Sequence, residues 1–436
     1  MKILSINKQN SQGYIDLGAI DERVYGIDKR NGVLFAFGYG SPDLFNIKFD
    51  ENSESDDSDQ EDYYDEFDDG ENVFRQNKTS RRRNIIDNID PHQMSDFFMI
   101  RFPKDTQPIM SVSWGIMHAL AITVSGQMYS WGTSQCGALG FRNKDRIYRP
   151  TYLPIIQENT ETPVIQIACG FNHSMCITHY HQVYSWGWNN NGRLGHDDLI
   201  EQNEPKIIES LECEKILKIS AGEKHSAWIN SNFKLYIWGW AKYGKLGFDS
   251  NEDIKTPTVL EDLSYEITDV SWGPMHTIIC TSEGKTMSFG HGKHGKLGYG
   301  DVEDSYFPTK VAFYNTPQIN IVKVFAMHNI SVALNYEDWK IYTWGYHGKG
   351  ILGYVTANNR SQRVPLSIEG IYFDTDRTEV SEMIERGESE NRIVLPTKII
   401  DVALGDDNTV ILTDSGDLFI VGSDEYGQLG MTPDQK

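Results

Sequence analysis

Two segments have the glycine spacing of a phosphate cradle. Gly290-His-Gly292-Lys-His-Gly295 fits GxGxxG, and Gly239 to Gly244-Lys245 and Gly290 to Gly295-Lys296 fit most of a nucleotide-binding loop. That chemistry needs a Ser or Thr after the lysine for magnesium, and a helix whose N-terminus faces the phosphates. Both loops instead run on into Leu246 and Leu297, with no helical pattern behind them, so nucleotide binding is not expected. The histidines His118, His173, His225, His276 and His328 recur at long intervals. A metal held by bonds of about 2 Å needs its ligands on one spot, and these fall on separate units of the chain. Five cysteines (Cys136, Cys169, Cys176, Cys213, Cys280) form no CxxC and no zinc-finger spacing, and read as reduced thiols. No serine elbow, HExxH or Cys/His pair stands out. The densest carboxylates lie in a solvated run with nothing to shift their proton affinity. No catalytic residue, metal or cofactor is expected.

What positions these residues is a repeat. Trp131-Gly132, Trp186-Gly187, Trp238-Gly239, Phe289-Gly290 and Trp344-Gly345 are separated by 55, 52, 51 and 55 residues. Phe37-Gly38 and Val421-Gly422 extend the series to seven units. Six residues after the aromatic comes Gly-x-Leu-Gly, from Gly137-Gly140 through Gly427-Gly430; the first unit has lost it. Thirteen residues before the aromatic stands the histidine of Gly-x-x-His, at His118, His173, His225 and His276, with Asn408 in the last unit. His328 lies sixteen before Trp344 and is assigned to the same column. Ten residues after the closing glycine come Pro150, Pro205, Pro257 and Pro308, with Pro365 at twelve.

Each unit reads as four short strands. His173–Thr178 and Gln182–Gly187 alternate as a hairpin, Val164–Cys169 is almost wholly apolar, and the proline-bearing segment belongs at an edge. Seven small antiparallel sheets bury both faces by radial packing, which gives an all-β, seven-bladed β-propeller over residues 1–436. The aromatic becomes a wedge between blades, and the histidine sits near one mouth of the central channel. The last unit lacks its proline-bearing strand. Lys2–Ile6 is expected to supply it and close the ring, removing an exposed edge.

The units Ile167-Ala-Cys-Gly170-Phe-Asn-His173-Ser, Val183-Tyr-Ser-Trp186-Gly187 and Gly192-Arg-Leu-Gly195 resemble repeats of the regulator of chromosome condensation. The resemblance covers most of the chain outside two inserts and implies the same seven-bladed ring. The superfamily includes the nuclear exchange factor for the GTPase Ran, ciliary scaffolds, ubiquitin-ligase subunits, kinase regulators and a plant ultraviolet receptor. This chain departs from the founding pattern. It lacks a basic N-terminal tail, and its middle units leave little room for a long inserted wedge. The receptor's Gly-Trp-Arg-His-Thr is absent, although Trp188 and Trp240 follow Trp-Gly pairs. No HECT-sized domain follows, which argues against a ligase.

The first insert, residues 48–98, holds Asp50–Glu71, twenty-two residues with thirteen Asp or Glu. Such a run repels itself and is expected to be disordered; Arg81-Arg82-Arg83 follows. Ser53 and Ser58 have Asp56 and Glu61 three positions on and are phosphorylation candidates. The second insert, 366–394, holds an expected acidic helix over 378–386. The formal charge of −22 argues against a sequence-independent nucleic-acid binder. The N-terminus reads as no secretory signal, and no apolar run is long enough to span a bilayer. The sequence reads as a non-enzymatic protein-interaction scaffold, a monomeric propeller within a larger cytoskeletal, ciliary or GTPase-regulatory assembly, placed in the cytoplasm with a nuclear location left open. Its partners are proteins, either a small GTPase or a basic cytoskeletal protein. The alternative is a guanine-nucleotide exchange factor for a Ran-like GTPase. Partner-binding candidates are His118, His173, His225, His276, His328 and Asn408, with Asp406 and Asp407 beside them.

Overall fold

The runs that alternate in sequence become antiparallel strands in a computed structural model of the chain. It describes residues 98–423, apart from 135, 143, 158–159, 210–214, 262, 264, 314–318, 338, 354–360, 369–370, 373–391, 394–397, 406–407 and 415–416, and the strand segments 3–5, 15–20, 23–28 and 33–38. Ser53, Ser58, Asp406, Asp407 and the expected helix at 378–386 lie outside the described residues.

Six four-stranded sheets are each made from strands consecutive in the chain. The third, Val164–Cys169, His173–Thr178, Val183–Gly187 and Gln202–Ile207, shows the plan. The seventh four-stranded sheet combines Ile399–Leu404, Asn408–Thr413 and Asp417–Gly422 with Ile3–Ser5. In it Ile3 pairs with Phe419 and Ser5 with Asp417, within the segment expected to act as the latch. The first strand of every sheet packs on its neighbour all the way round. Ile15–Ile20 meets Ile109–Trp114 on one side and Ile399–Leu404 on the other. The result is an all-β propeller, with one short hairpin joining Ile371–Tyr372 to Arg392–Ile393.

The outer strand of the sixth sheet, Gln362–Ser367, runs two residues into the span assigned to the second insert, and Phe98 already pairs with Ala36 at the end of the first. The prolines Pro150, Pro205, Pro257, Pro308 and Pro365 all lie in outermost strands, where a missing N–H breaks no central ladder.

The apolar core is divided into wedges between sheets. Trp186, Leu120, Ile122, Val164 and Cys176 join the second and third sheets, and Ala227, Leu246, Ile279 and Phe289 join the fourth and fifth. The repeat's aromatics Trp131, Trp186, Trp238, Phe289 and Trp344 are fully buried in these wedges, joined in some by Trp114, Trp228 or Trp272. Burying such a side chain contributes about 2–3 kcal/mol. The leucines of Gly-x-Leu-Gly, Leu139, Leu194, Leu246, Leu297 and Leu352, are buried, and Leu139 and Leu246 pack in the wedges of Trp131 and Phe289.

The glycine after each aromatic has a conformational reason. Gly132, Gly187, Gly239, Gly290 and Gly345 hold φ between 108° and 112°, a region L side chains rarely enter.

Candidate protein-interaction face

The histidine column opens the second strand of its sheet. His118 pairs across the ladder with Gly132, His173 with Gly187, His225 with Gly239 and His276 with Gly290. The imidazole folds back over the glycine of Gly-x-x-His. A Cβ on Gly170 would lie 2.0 Å from His173 Cε1. All four rings are buried, as is Asn408. They were expected to face a partner, but their side chains form the wall between blades instead.

The wall is a relay. The Ser174 hydroxyl donates to Ala138 O at 2.8 Å, Ser226 to Arg193 O at 2.8 Å, and Ser331 to Lys296 O at 2.8 Å. The hydroxyl proton is thereby used, so the oxygen accepts from the histidine of the preceding sheet. His118, His173 and His276 donate from Nε2 at 2.9 Å each. The same carbonyls accept indole N–H groups: Trp186 Nε1 at 2.9 Å, Trp238 Nε1 at 2.8 Å and Trp344 Nε1 at 2.8 Å. The residue before each plug leucine thus receives two donors from the next blade. His225 is the exception. Its successor offers Thr277, which donates to Lys245 O, and the ring instead meets Trp272 edge-on at 4.6 Å.

The sixth sheet corrects one assignment. Ile330, not His328, pairs with Gly345 and occupies the histidine column. The hairpin between Ile330 and Trp344 carries one residue more than in the other sheets, so counting back from the tryptophan misplaces the column. His328 lies in the preceding turn, at φ 45°.

Burial sets the proton affinities here. It holds His173, His225 and His276 well below 6.5, with further depression from Arg193 and His118 at His173, from Lys245 at His225, and from Lys296 at His276. Burial also raises the thiols of Cys136 to about 11 and of Cys169 and Cys280 to about 12, which makes them poor nucleophiles. Among the described residues no His/Cys/Asp/Glu group could hold a metal ion, and no helix is long and apolar enough to cross a membrane.

The lysines of the phosphate-loop look-alikes point inward too. Lys245 is buried, donates to Pro274 O at 2.8 Å, and lies 3.8 Å from the centre of the Trp240 ring. Lys296 donates to Asn329 Oδ1 at 2.7 Å, with its Nζ 3.2 Å from His291 Nδ1. In the same column Arg193 reaches Glu223 O and stacks at 4.7 Å over Trp188. Each cation therefore staples its blade to a loop of the next.

Around these staples lies a rim that the sequence reading did not single out. The residue after each aromatic-Gly pair is pinned through its N–H to the preceding loop: Trp188 to Asn172 O, Trp240 to Lys224 O, His291 to Met275 O and Tyr346 to Asn329 O, at 2.8–2.9 Å. All four side chains are half-buried, at the same end of their strands. The loops that follow bridge them: Tyr243 contacts His291 at 4.6 Å, and His294 contacts Tyr346 at 5.1 Å. The signal was present as an aromatic or histidine one place after Gly187, Gly239, Gly290 and Gly345, though not after Gly132 or Gly422. It gained meaning only when the cation five positions on folded over it.

A ring of four-stranded sheets locked by hydroxyl, imidazole and indole bonds from blade to blade defines a repeat β-propeller. The RCC1-like domain family matches residues 88–378, and a regulator of chromosome condensation repeat matches 399–428. The chain belongs to the RCC1-like family. It is 31% identical over 329 residues to the ultraviolet-B receptor UVR8 of Arabidopsis thaliana, covering 75% of this chain and 68% of that one. It is 29% identical over 252 residues to the human E3 ubiquitin-protein ligase HERC2, covering 57% of this chain but 5% of that protein. In structure it is similar to Prp20p of Saccharomyces cerevisiae, with a TM-score of 0.62, 18% identity, and 95% and 84% of the two chains covered.

Proposed function

We propose that this chain is a non-enzymatic scaffold, which docks protein partners on a preformed propeller face. One observation carries the reading. The side chains whose spacing could suggest catalysis, the histidine column and the look-alike lysines, are committed to holding blades together. A ring fixed in this way presents its rim without an ordering cost when a partner arrives. The alternative is an exchange factor for a small Ran-like GTPase. Its support is the fold shared along 95% of the chain with Prp20p, a protein whose binding to Gsp1p and histones has been examined. Such a factor would compete for the magnesium–phosphate contacts that hold the GTPase switch loops.

A nucleotide-release assay over a panel of small GTPases separates the two. The scaffold reading expects release rates unchanged by catalytic amounts of the protein, and a clear acceleration would overturn it. Affinity capture with mass spectrometry then tests the scaffold directly: it should recover a stoichiometric partner, and recovering none would count against docking.

A further inference from the structure

The innermost strands each leave one side chain out of the wedges. In six sheets the pairing skips the second residue of the first strand: Met110, Ile165, Leu217, Thr268, Val322 and Ile400. A skipped residue is the extra one of a bulge, and the strand turns it out of the ladder. Its neighbours pack into the core, as Val164, Ile167 and Cys169 do in the third sheet and Ile267, Val270 and Trp272 in the fifth. The first strands line the channel, so a side chain turned away from the wedges stands at its mouth. Met110, Ile165, Leu217 and Val322 are 38%, 39%, 46% and 37% exposed, which means that water reaches this mouth. Thr268 is exposed as well, and Ile400 is half-buried. Single exposed aliphatic residues are ordinary on a protein surface. These share one structural column in adjacent sheets, and together they form a collar at the end opposite the histidine loops. Tyr180 and Tyr336 stand exposed on turns at the same end.

A second observation is electrical. The collar column holds no acid and no base, on a chain with 62 Asp and Glu and 40 Lys and Arg. The charges one place further along are taken up sideways. Lys218 pairs with Asp269, whose other oxygen accepts from Val324 N, and Lys323 pairs with Asp401 at 3.1 Å. An ion entering the mouth would shed water without gaining a counter-charge, which is unfavourable. An apolar group sheds its water there with a gain.

We propose that this collar is the docking site for a protruding, uncharged apolar segment of a partner protein, whose aliphatic or aromatic side chains enter the channel mouth. The proposal deepens the scaffold reading and rests on it. A ring of side chains about an axis fits a tip rather than a flat surface. The bulges that present it are fixed by the pairs just beyond them, so the collar is preformed. Charge selects this occupant over the others. A charged segment or a nucleic acid finds no counter-charge at the collar, and a second copy would bring a further net charge of −22 against the disc.

The test uses the full-length protein and three fluorescein-labelled peptides of about ten residues. The first is built of Leu, Phe and Ser. In the second each Leu and Phe is replaced by Ser, and in the third each Ser of the first is replaced by Glu. Fluorescence anisotropy should show binding of the first alone, undiminished by salt. The double variant L217S/V322S should weaken it about tenfold, because apolar area is lost from two sheets of the collar. Its unfolding midpoint should stay unchanged, since both side chains are exposed in the free protein. Leu366→Ser, at a leucine 43% exposed on the outer strand Gln362–Ser367, should leave binding as it is. Equal binding of the serine or glutamate peptide, no binding of any peptide, or indifference to L217S/V322S overturns the proposal. So does a doubled mass in sedimentation that L217S/V322S returns to one chain, which would put a second copy on the collar. Affinity capture by wild type and L217S/V322S in parallel keeps the two readings apart. Partners retained by both would sink the collar but leave the scaffold standing, and no partner for either would sink the scaffold and the collar with it.

Discussion

The serine hydroxyls behind the histidines do two jobs at once. Ser226 donates to Arg193 O and accepts from His173 Nε2, both inside the protein. Ser226→Ala leaves the imidazole N–H buried without an acceptor, while Arg193 O keeps its bond from Trp238. The loss should be about 1–3 kcal/mol in urea unfolding, and combining it with His173→Phe should add far less than the sum of the two. Additive effects would show that the relay is not a unit. The wedge ring offers a reciprocal pair. Phe289 leaves Lys245 O with the Thr277 hydroxyl as its donor from the next blade, where Trp186 gives Ala138 O an indole N–H. Phe289→Trp should stabilise, and Trp186→Phe destabilise, by about 1 kcal/mol each. The histidines also set a pH dependence. His173, His225 and His276 are held below 6.5 chiefly by burial and remain neutral in the fold, whereas the unfolded chain protonates them near pH 6.5. Their contribution is complete above pH 6.5 and is lost as pH falls below it, by about 1.4 kcal/mol per pH unit per histidine. Unfolding midpoints measured from pH 7.5 to 5 should therefore fall, less steeply in His225→Phe. A flat profile would mean that these rings ionise freely in the fold.

Strands join the blades through a second device at the other end of the sheet. In six of the sheets the first strand carries a bulge one residue in, for example between Val164 and Gln166, Ile267 and Asp269, and Ile321 and Lys323. The residue just past the bulge reaches the neighbouring sheet. Gln166 accepts from Ile219 N at 3.0 Å, Asp269 accepts from Val324 N at 3.0 Å, and Lys218 pairs with Asp269 as Lys323 does with Asp401. A bulge increases local twist, and here it also aims one polar side chain across a wedge. The outermost strand of the seventh sheet contributes stability of a different kind. Deleting residues 1–6 removes Ile3–Ser5 and bares the backbone edge of Asp417–Gly422. Thermal unfolding should move down, and light scattering should reveal self-association, because an open edge pairs with other chains. An unchanged midpoint and mass would show that the ring closes without its latch.

At the scale of the molecule, two internal systems act together on the ring. Bulge contacts and hydroxyl relays are internal and repeat from blade to blade, so they keep a ring of constant geometry. The cation–aromatic rim is local, because the cation column holds Arg193, Lys245 and Lys296 in three consecutive sheets and Ala138 and Ile351 on either side of them. If the ring docks a partner as proposed, one irregular sector would give that partner a single orientation in which to bind. The exchange assay belongs to this scale. The scaffold reading proposed above expects no acceleration of release by the whole disc.

The period, the strand count per unit, the outer place of the prolines and the N-terminal closing strand were all legible in the sequence. Each is set by local rules: alternation, the missing proline N–H, and a unit that lacks its own last strand. The roles of the histidines were not legible. A residue type at a fixed spacing says that a position is special, but not which way the side chain turns. His173 turns inward because Gly170 leaves room beside it and Ser226, fifty-three residues on, supplies an acceptor. His328 was put in the column although it lies sixteen rather than thirteen residues before Trp344, and the register places Ile330, fourteen before it, there instead. The cation–aromatic rim likewise joins residues of four sheets. The chain alone determined the repeating unit, and only the closing of the ring, which sets each blade against the next, decided which charges are stapled inside and which remain at the rim.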